Sequence, residues 1–186
     1  FYSDKGFIEA YAAVGRPVLE ANNVDHVLFS FHGLPERHMR NGDPTGRHCL
    51  EKADCCSEMS RSNQNCYRAQ CFATARDLAA SLGLDDDAYS VSFQSRLGRA
   101  PWIKPYTEPA LEELARTGTK RIVVFCPAFT ADCLETLEEI GIRAVELFKA
   151  HGGEHLVLVP SLNDHPTWVS AAAQLIEIAA GRTSPS

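Results

Sequence analysis

A short apolar segment, Arg121 to Cys126, most restricts the fold that this sequence can adopt. It is apolar at nearly every position, which is typical of a strand covered on both faces. Shorter or mixed strand patterns run over 26–31, 89–94 and 156–159, and helical patterns alternate with them over 4–22, 67–82, 108–116, 132–151 and 164–180. This alternation predicts an α/β fold, a doubly wound, parallel four-stranded sheet with helices on both faces.

The connections between these segments carry most of the glycine, proline and polar residues. The longest, 33–65, shows no period and is expected to be a loop. Asp132 and Asp164 are expected to cap the helices that follow them, and Pro17 to bend the first helix. The tail from Arg182 to Ser186 is expected to be disordered.

Composition narrows the class of protein. A chain of 186 residues with 45% hydrophobic and 23% charged residues fits one globular domain with a sizeable core. The net charge of −6 argues against a nucleic-acid-binding surface, and no apolar run approaches the roughly 20 residues that span a bilayer. Because the sequence starts at Phe1 and not at Met, we expect it to be a fragment of a longer protein.

Several polar side chains follow the ends of predicted strands. Because the carboxyl ends of parallel strands meet at one edge, the connectors 32–66, 95–106, 127–132 and 160–164 are expected to form one rim. His32 comes directly after the first strand, where it is either a base for catalysis or a ring that bonds a loop carbonyl. Trp102 is either a core residue or a flat apolar wall for a flat ligand.

Acidic residues open the predicted helix 132–151. Asp132 is explained as an N-cap, and acidic side chains are stabilised in a first helical turn. Glu139 lies too far along the helix for that explanation. Glu135 and Glu139 are four residues apart and would share one helical face, where two like charges repel unless something binds them. Such a pair can accept protons or guide a divalent cation.

The segment between the first two strands holds five of the seven cysteines, at positions 49, 55, 56, 66 and 71. Their spacing lacks the paired CxxC of zinc ribbons, and clustered cysteines with an odd total favour metal over disulfides or unrelated free thiols. Four thiolates with irregular spacing suit a 2Fe–2S cluster. The fifth cysteine would be spare, and we expect it to be Cys55 or Cys56, since adjacent residues rarely point the same way. Cys126 and Cys133 fit ordinary free thiols.

Six strings resemble the ferrochelatases, the last enzymes of haem synthesis, in the order of that family and in its proteobacterial form. They are FSFHGLPERH (29–38), NGDP (41–44), FQSRLGRAPW (93–102), PYTEPALEELARTG (105–118), CPAFTADCLETLEEI (126–140) and PSLNDHP (160–166). The resemblance covers nearly the whole chain. It implies two similar doubly wound domains with the porphyrin between them. Residues 1–186 would be the carboxyl-terminal domain, and the amino-terminal half would be missing.

The resemblance also implies roles for residues at the rim. His32 and Glu135 would be catalytic and would meet the Fe²⁺ substrate. Four further residues would serve the path of protons and metal or the porphyrin pocket: Asp132 and Glu139 the path, Trp102 and Phe129 the pocket. Cys133 stands where some relatives have a second histidine, which implies that a thiol is not required there.

An insert at about 45–66 separates this chain from many ferrochelatases, which pass from GDP almost directly to the next helix. Some bacterial members hold a 2Fe–2S cluster in such an internal segment. The resemblance therefore implies a cluster bound by four of five cysteines, namely Cys49, Cys55, Cys56, Cys66 and Cys71. Cys71 falls where relatives often have a cysteine without the insert.

The implied reaction is insertion of Fe²⁺ into protoporphyrin IX to form haem b. The fragment alone is expected to be inactive, because one wall of the cleft is missing. Two alternatives stay open: a cobalt chelatase of corrinoid synthesis, and a non-enzymatic iron–sulfur redox or sensor module. A cytoplasmic location with peripheral contact at the inner membrane is compatible with the sequence, no nucleic-acid partner is expected, and the oligomeric state stays open.

Overall fold

The computed structural model describes residues 1–182, so the expected disorder of the tail falls almost entirely outside the described residues. Its sheet contains the four parallel strands β1 (His26–His32), β2 (Tyr89–Gln94), β3 (Arg121–Phe125) and β4 (His155–Leu158). They lie in the order β2-β1-β3-β4. The predicted α/β fold with a parallel four-stranded sheet is confirmed.

Helices surround the sheet. In chain order they are α1 (Lys5–Ala21), α2 (Glu36–Asn41), α3 (Tyr67–Leu82), α4 (Thr107–Arg116), α5 (Leu134–Leu137), a π-helix (Glu139–Ala144), α6 (Val145–Ala150) and α7 (Pro166–Ala179). None of those formed by residues 1–182 is both long enough and apolar enough to cross a bilayer.

Alternating side chains of the strands build two cores, one on each face of the sheet. Val27, Phe29 and Phe31 of β1 pack with residues of α1 and α3 on one face. Leu28, between them, packs on the other face with residues of α4, the π-helix and α6, among them Phe148. Because successive strand residues point to opposite faces, an apolar strand fills both cores at once.

The predicted helix 132–151 is wrong in its details. The structure has α5, the π-helix and α6 in its place, and Cys133 is the N-cap. Asp132 is therefore not the cap. Its carboxylate instead accepts hydrogen bonds from the loop after β4, including one from the Ser161 N–H at 3.1 Å. A pattern of apolar residues at helical spacing does not reveal the one-residue shift that creates a π-turn.

Two other expectations also need correction. The predicted loop 33–65 contains the short helix α2, whose single buried residue, Met39, is too little to produce a sequence period. The N-cap of α7 is His165 and not Asp164, although Pro166 does occupy the first turn. Helix α1 continues through Pro17, which lies on its exposed side.

Gly15 allows α1 to lie directly on the sheet. A Cβ atom at this position would overlap the aromatic ring of Phe125, at the end of β3. Phe125 is fully buried, so its ring has little room to move away. The absence of a side chain at Gly15 therefore sets how closely the helix approaches the strand.

We predict that Gly15→Ala lowers the free energy of unfolding by about 1–3 kcal/mol, the usual cost of overpacking a core. In a helix with open space at this position, the same change would raise the free energy of unfolding by up to roughly 1 kcal/mol. The sign of the change therefore tests the contact between Gly15 and Phe125. Urea denaturation followed by circular dichroism measures it. Ala13→Ser, at an exposed position of α1, is the control and should change stability by less than about 0.5 kcal/mol.

Candidate active site and cysteine lobe

A cleft of about 910 Å³ opens at the carboxyl edge of the sheet. His32, Trp102, Glu135 and Glu139 are among the residues that line it. Leu97 and Leu134 also line it, with side chains 80% and 77% exposed. The cleft therefore combines a base, carboxylates and exposed apolar surface.

His32 is the last residue of β1, and its backbone pairs with Gln94 at the end of β2. Its ring lies between two aromatic side chains, with ring centroids 6.3 Å from Trp102 and 5.9 Å from Phe129. Nδ1 contacts the carbonyl oxygen of Gly33. Because a carbonyl only accepts, this contact favours the tautomer with hydrogen on Nδ1, which leaves Nε2 as a proton acceptor.

A hydrogen bond from Tyr11 of α1 holds the backbone of Phe129. The Tyr11 hydroxyl donates to the Phe129 carbonyl oxygen at 2.6 Å and lies 3.2 Å from that of Cys126. Burial raises the pKa of Tyr11 far above its ordinary value, so the hydroxyl keeps its proton and stays a donor. Phe129 thus contacts the ring of His32, although it is not among the residues that line the cleft.

Glu135 is the second residue of α5 and is half-buried. A hydrogen bond from the Cys133 thiol lowers the pKa of Glu135, with further contributions from its own N–H and from His32. The carboxylate is therefore held in its ionised form. The structure brings His32 and Glu135 into one cleft, close enough to interact electrostatically.

Glu139, the first residue of the π-helix, points to the connector after β2. Its carboxylate accepts hydrogen bonds from the N–H and the hydroxyl of Ser95, at 2.8 and 2.6 Å. Ser95 adopts φ +64°, a conformation that costs free energy for a residue with a side chain. The expected i,i+4 pair is thus divided: Glu139 fixes the connector, whereas Glu135 lies beside His32.

Gln94 is a site residue that the sequence analysis missed. Its side chain is buried at the end of β2, where Oε1 accepts from Ser30 at 2.8 Å and Nε2 donates to the Glu135 carbonyl oxygen at 2.7 Å. It therefore connects β1 to α5. The available signal in the sequence was a polar residue at the end of a predicted strand, next to the predicted rim.

Asp132 serves the loops at the edge of the cleft. Its carboxylate accepts from the Ser161 N–H, from the Asn163 side-chain amide at 2.8 Å and from the Thr136 hydroxyl at 3.3 Å. The side chain of Asn163 returns a bond by accepting from the Asp132 N–H. Asp132 thus joins the loops after β3 and β4, and it does not line the cleft.

Residues 43–66 form a compact segment that we call the cysteine lobe. Asp43 organises its start: the carboxylate accepts from the N–H groups of Thr45, His48 and Cys49 and from the Thr45 hydroxyl, at 2.7 to 2.9 Å. These bonds, that from Cys49 foremost, hold the pKa of Asp43 far below its usual range. Asn63, fully buried, donates from its side-chain amide to the carbonyl oxygens of Cys55 and Glu58 and accepts from the Ser60 N–H.

Four of the five cysteines lie buried in this lobe. The Sγ atoms of Cys55 and Cys56 are 3.8 Å apart, and the thiols of Cys49 and Cys56 lie close enough to Cys66 to shift its pKa. All four residues are at most 5% exposed, and all seven cysteines are free thiols. Cys71 lies one turn into α3 and is buried, which raises the pKa of its thiol above the ordinary value.

Cys66 has the chemistry of a metal-binding thiolate. It is the N-cap of α3, where free backbone N–H groups and the helix dipole stabilise negative charge. The neighbouring Cys56 thiol, foremost, lowers the pKa of Cys66 to about 6. Within residues 1–182, however, no three histidine, cysteine or acidic side chains are gathered closely enough to hold a single metal ion.

Comparison with known proteins identifies the family. The family model described as ferrochelatase matches residues 1–180. The chain is 56% identical to a ferrochelatase of Pseudomonas fluorescens strain SBW25 and 57% identical to one of Azotobacter vinelandii, over 95% and 94% of its length. It covers 52% of each of those proteins, and so spans about half the length of the curated relatives it matches. The resemblance found in the sequence is confirmed: the chain belongs to the ferrochelatase family.

Proposed function

We propose that the full-length protein inserts Fe²⁺ into protoporphyrin IX, and that this chain supplies the His32 and Glu135 side of the active site. One observation carries the proposal: a histidine with a free Nε2 and an ionised glutamate share a cleft with an apolar wall. The ferrochelatase names of the relatives support the choice of reaction.

Metal insertion requires that two N–H protons leave the porphyrin and that a dehydrated metal ion arrives. The His32 ring accepts a proton at Nε2, the nitrogen that the contact of Nδ1 with the Gly33 carbonyl leaves as an acceptor. The Glu135 carboxylate, kept ionised by Cys133, attracts the cation or receives the proton from His32. Glu139 lines the same cleft and is the next carboxylate for an outgoing proton.

Trp102 supplies the wall against which the porphyrin packs. Trp102 is 9% exposed and lines the same cleft as the carboxylates. A ring held between this wall and His32 is positioned for proton transfer, because a general base must reach the proton within hydrogen-bond distance. We propose that Phe129 supports the ring of His32. Asp132 joins the loop after β3, which carries Phe129, to the loop after β4.

We also propose a 2Fe–2S cluster in the cysteine lobe, on Cys49, Cys55, Cys56 and Cys66. Such a cluster shares four thiolates between two irons, so it needs two close pairs and not one cage around a single ion. The contacts Cys55–Cys56 and Cys49–Cys66 supply these pairs in a buried setting. Cys71, buried within α3 and outside these two pairs, is then the spare cysteine, in place of the expected Cys55 or Cys56.

We predict that His32→Ala in the full-length protein lowers the rate of iron insertion by ~10²–10⁴-fold, the usual contribution of a proton acceptor. Protoporphyrin should still bind, because the apolar wall is intact. Glu135→Gln should resemble it, while Cys133→Ser should retain most activity, since a hydroxyl can donate the same hydrogen bond. Haem formation is followed by absorbance. Activity of His32→Ala within a few-fold of wild type would exclude His32 as the base, and a preference for Co²⁺ would favour the cobalt chelatase.

The cluster predicts a colour and its loss. Protein purified anaerobically should be brown with 2Fe–2S absorption bands, and Cys66→Ser should bleach it, because a hydroxyl is a poor ligand for this iron. Cys71→Ser is the matched control and should keep the colour. Bleaching by Cys71→Ser but not by Cys66→Ser would contradict the assignment, as would a colourless protein that contains stoichiometric zinc.

The chain alone should fold but should not insert iron at a useful rate. Both faces of its sheet carry complete cores, whereas the relatives are about twice as long. A cooperative unfolding transition together with absent haem formation is the expected result. Full turnover by residues 1–186 would show that this chain contains the whole active site.

A further inference from the structure

The first turn of α3 lies between the cysteine lobe and the cleft. Cys66 is the N-cap of the helix, and the hydroxyl of Tyr67, the next residue, donates to the His32 carbonyl oxygen at 2.9 Å. Arg68 follows. This turn therefore contacts a thiol of the lobe on one side and the backbone of the catalytic histidine on the other.

The guanidinium of Arg68 has two sets of partners. Nη1 lies 3.1 Å from Sγ of Cys56 and 3.9 Å from Sγ of Cys55. Nε donates to the carbonyl oxygen of Lys104 at 3.1 Å. The group also lies over the ring of Phe72, 4.8 Å from its centroid. A planar guanidinium can bond in two directions at once, which an ammonium group does not reproduce.

Lys104 belongs to the segment that carries Trp102. On its other side, this segment is bonded to the connector after β1: the Ile103 N–H donates to the Leu34 carbonyl oxygen at 3.0 Å, and the Glu36 N–H to that of Pro101 at 2.9 Å. In the direction of the lobe, the bond from Arg68 holds the backbone two residues after Trp102. Arg68 is therefore one of the groups that hold the segment of Trp102, and it is the one that also contacts the sulfur atoms of the lobe.

We propose that Arg68 is a positioning residue that ties the Trp102 wall of the cleft to the sulfur atoms of the cysteine lobe. With the proposed cluster bound, the sulfur atoms would carry negative charge and would hold the guanidinium through charge-assisted hydrogen bonds, while Nε holds the Lys104 carbonyl. The binding of porphyrin thus depends on Arg68, although it does not touch the ligand. This inference rests on the proposed function, because it concerns the porphyrin and the cluster assigned there.

Two substitutions in the full-length protein separate the charge of Arg68 from its geometry. Arg68→Gln removes the charge and the fork, whereas Arg68→Lys keeps the charge and loses the fork. Both should weaken protoporphyrin binding roughly three- to tenfold, as expected for one lost hydrogen bond of ordinary strength at an exposed position. Only Arg68→Gln should shift the reduction potential of the cluster to a more negative value, since it alone removes a positive charge beside the sulfur atoms.

Arg76→Gln is the matched control. The Arg76 side chain also bonds the lobe, at the Cys56 carbonyl oxygen at 3.2 Å, but its described contacts do not reach the connector. Fluorescence titration with protoporphyrin gives the affinity, and a redox titration followed by electron paramagnetic resonance gives the potential. The proposal expects normal porphyrin affinity in Arg76→Gln.

Two results would overturn the inference while leaving the proposed function in place. One is wild-type porphyrin affinity in both Arg68 variants, whatever happens to the potential. The other is an equal loss of affinity in Arg76→Gln, which would assign the effect to general weakening of the lobe. A wild-type protein that binds no porphyrin would instead remove the proposed function, and this inference with it.

Discussion

The position of β1 between β2 and β3 is the constraint on which the site depends. Both edges of this strand are hydrogen-bonded and both of its faces are covered, so only its ends are open to solvent and ligand. His32 emerges at the carboxyl end, in register with Gln94. The single polar residue inside the strand, Ser30, is fully buried and bonded to Gln94 and Thr107, which removes the cost of burying its hydroxyl.

The π-helix gives two glutamates different tasks. In a continuous α-helix Glu135 and Glu139 would project from one face and repel each other. Here Glu135 lines the cleft together with His32, whereas Glu139 is held by Ser95, whose left-handed backbone is stabilised by the two bonds to that carboxylate. The strained backbone at Ser95 and the irregular helix that begins at Glu139 thus meet in one contact. Both strained residues and π-helical turns are frequent at functional sites.

Sequence reasoning predicted the sheet and the rim because both follow from periodic patterns. The apolar run Arg121–Phe125 requires cover on both faces, and residues at the ends of parallel strands share an edge, which placed His32 correctly. It could not predict the role of Gln94, since this depends on the register of β2 against β1. Nor could it predict that the Sγ atoms of Cys55 and Cys56 meet, because side-chain direction alternates only in regular structure.

The cysteine lobe is held by a different kind of interaction from the rest of the domain. Its backbone forms turns without a strand or helix between residues 43 and 66, and its buried polar anchors are Asp43 and Asn63. The folded-state pKa of Asp43 is depressed, so its contribution to stability is complete above the ordinary carboxyl pKa and is lost only as the pH falls towards the depressed value.

Apolar burial alone would stabilise such a segment poorly, since its buried side chains are mainly small thiols and hydrogen-bonded polar groups. A metal cluster bound to four of those thiols would close the long loop and add the missing stability, because a group that binds only the folded state stabilises it. The order of the lobe would then depend on the cluster. Since Cys66 begins the helix whose next two residues contact His32 and Lys104, that order would extend to both walls of the cleft.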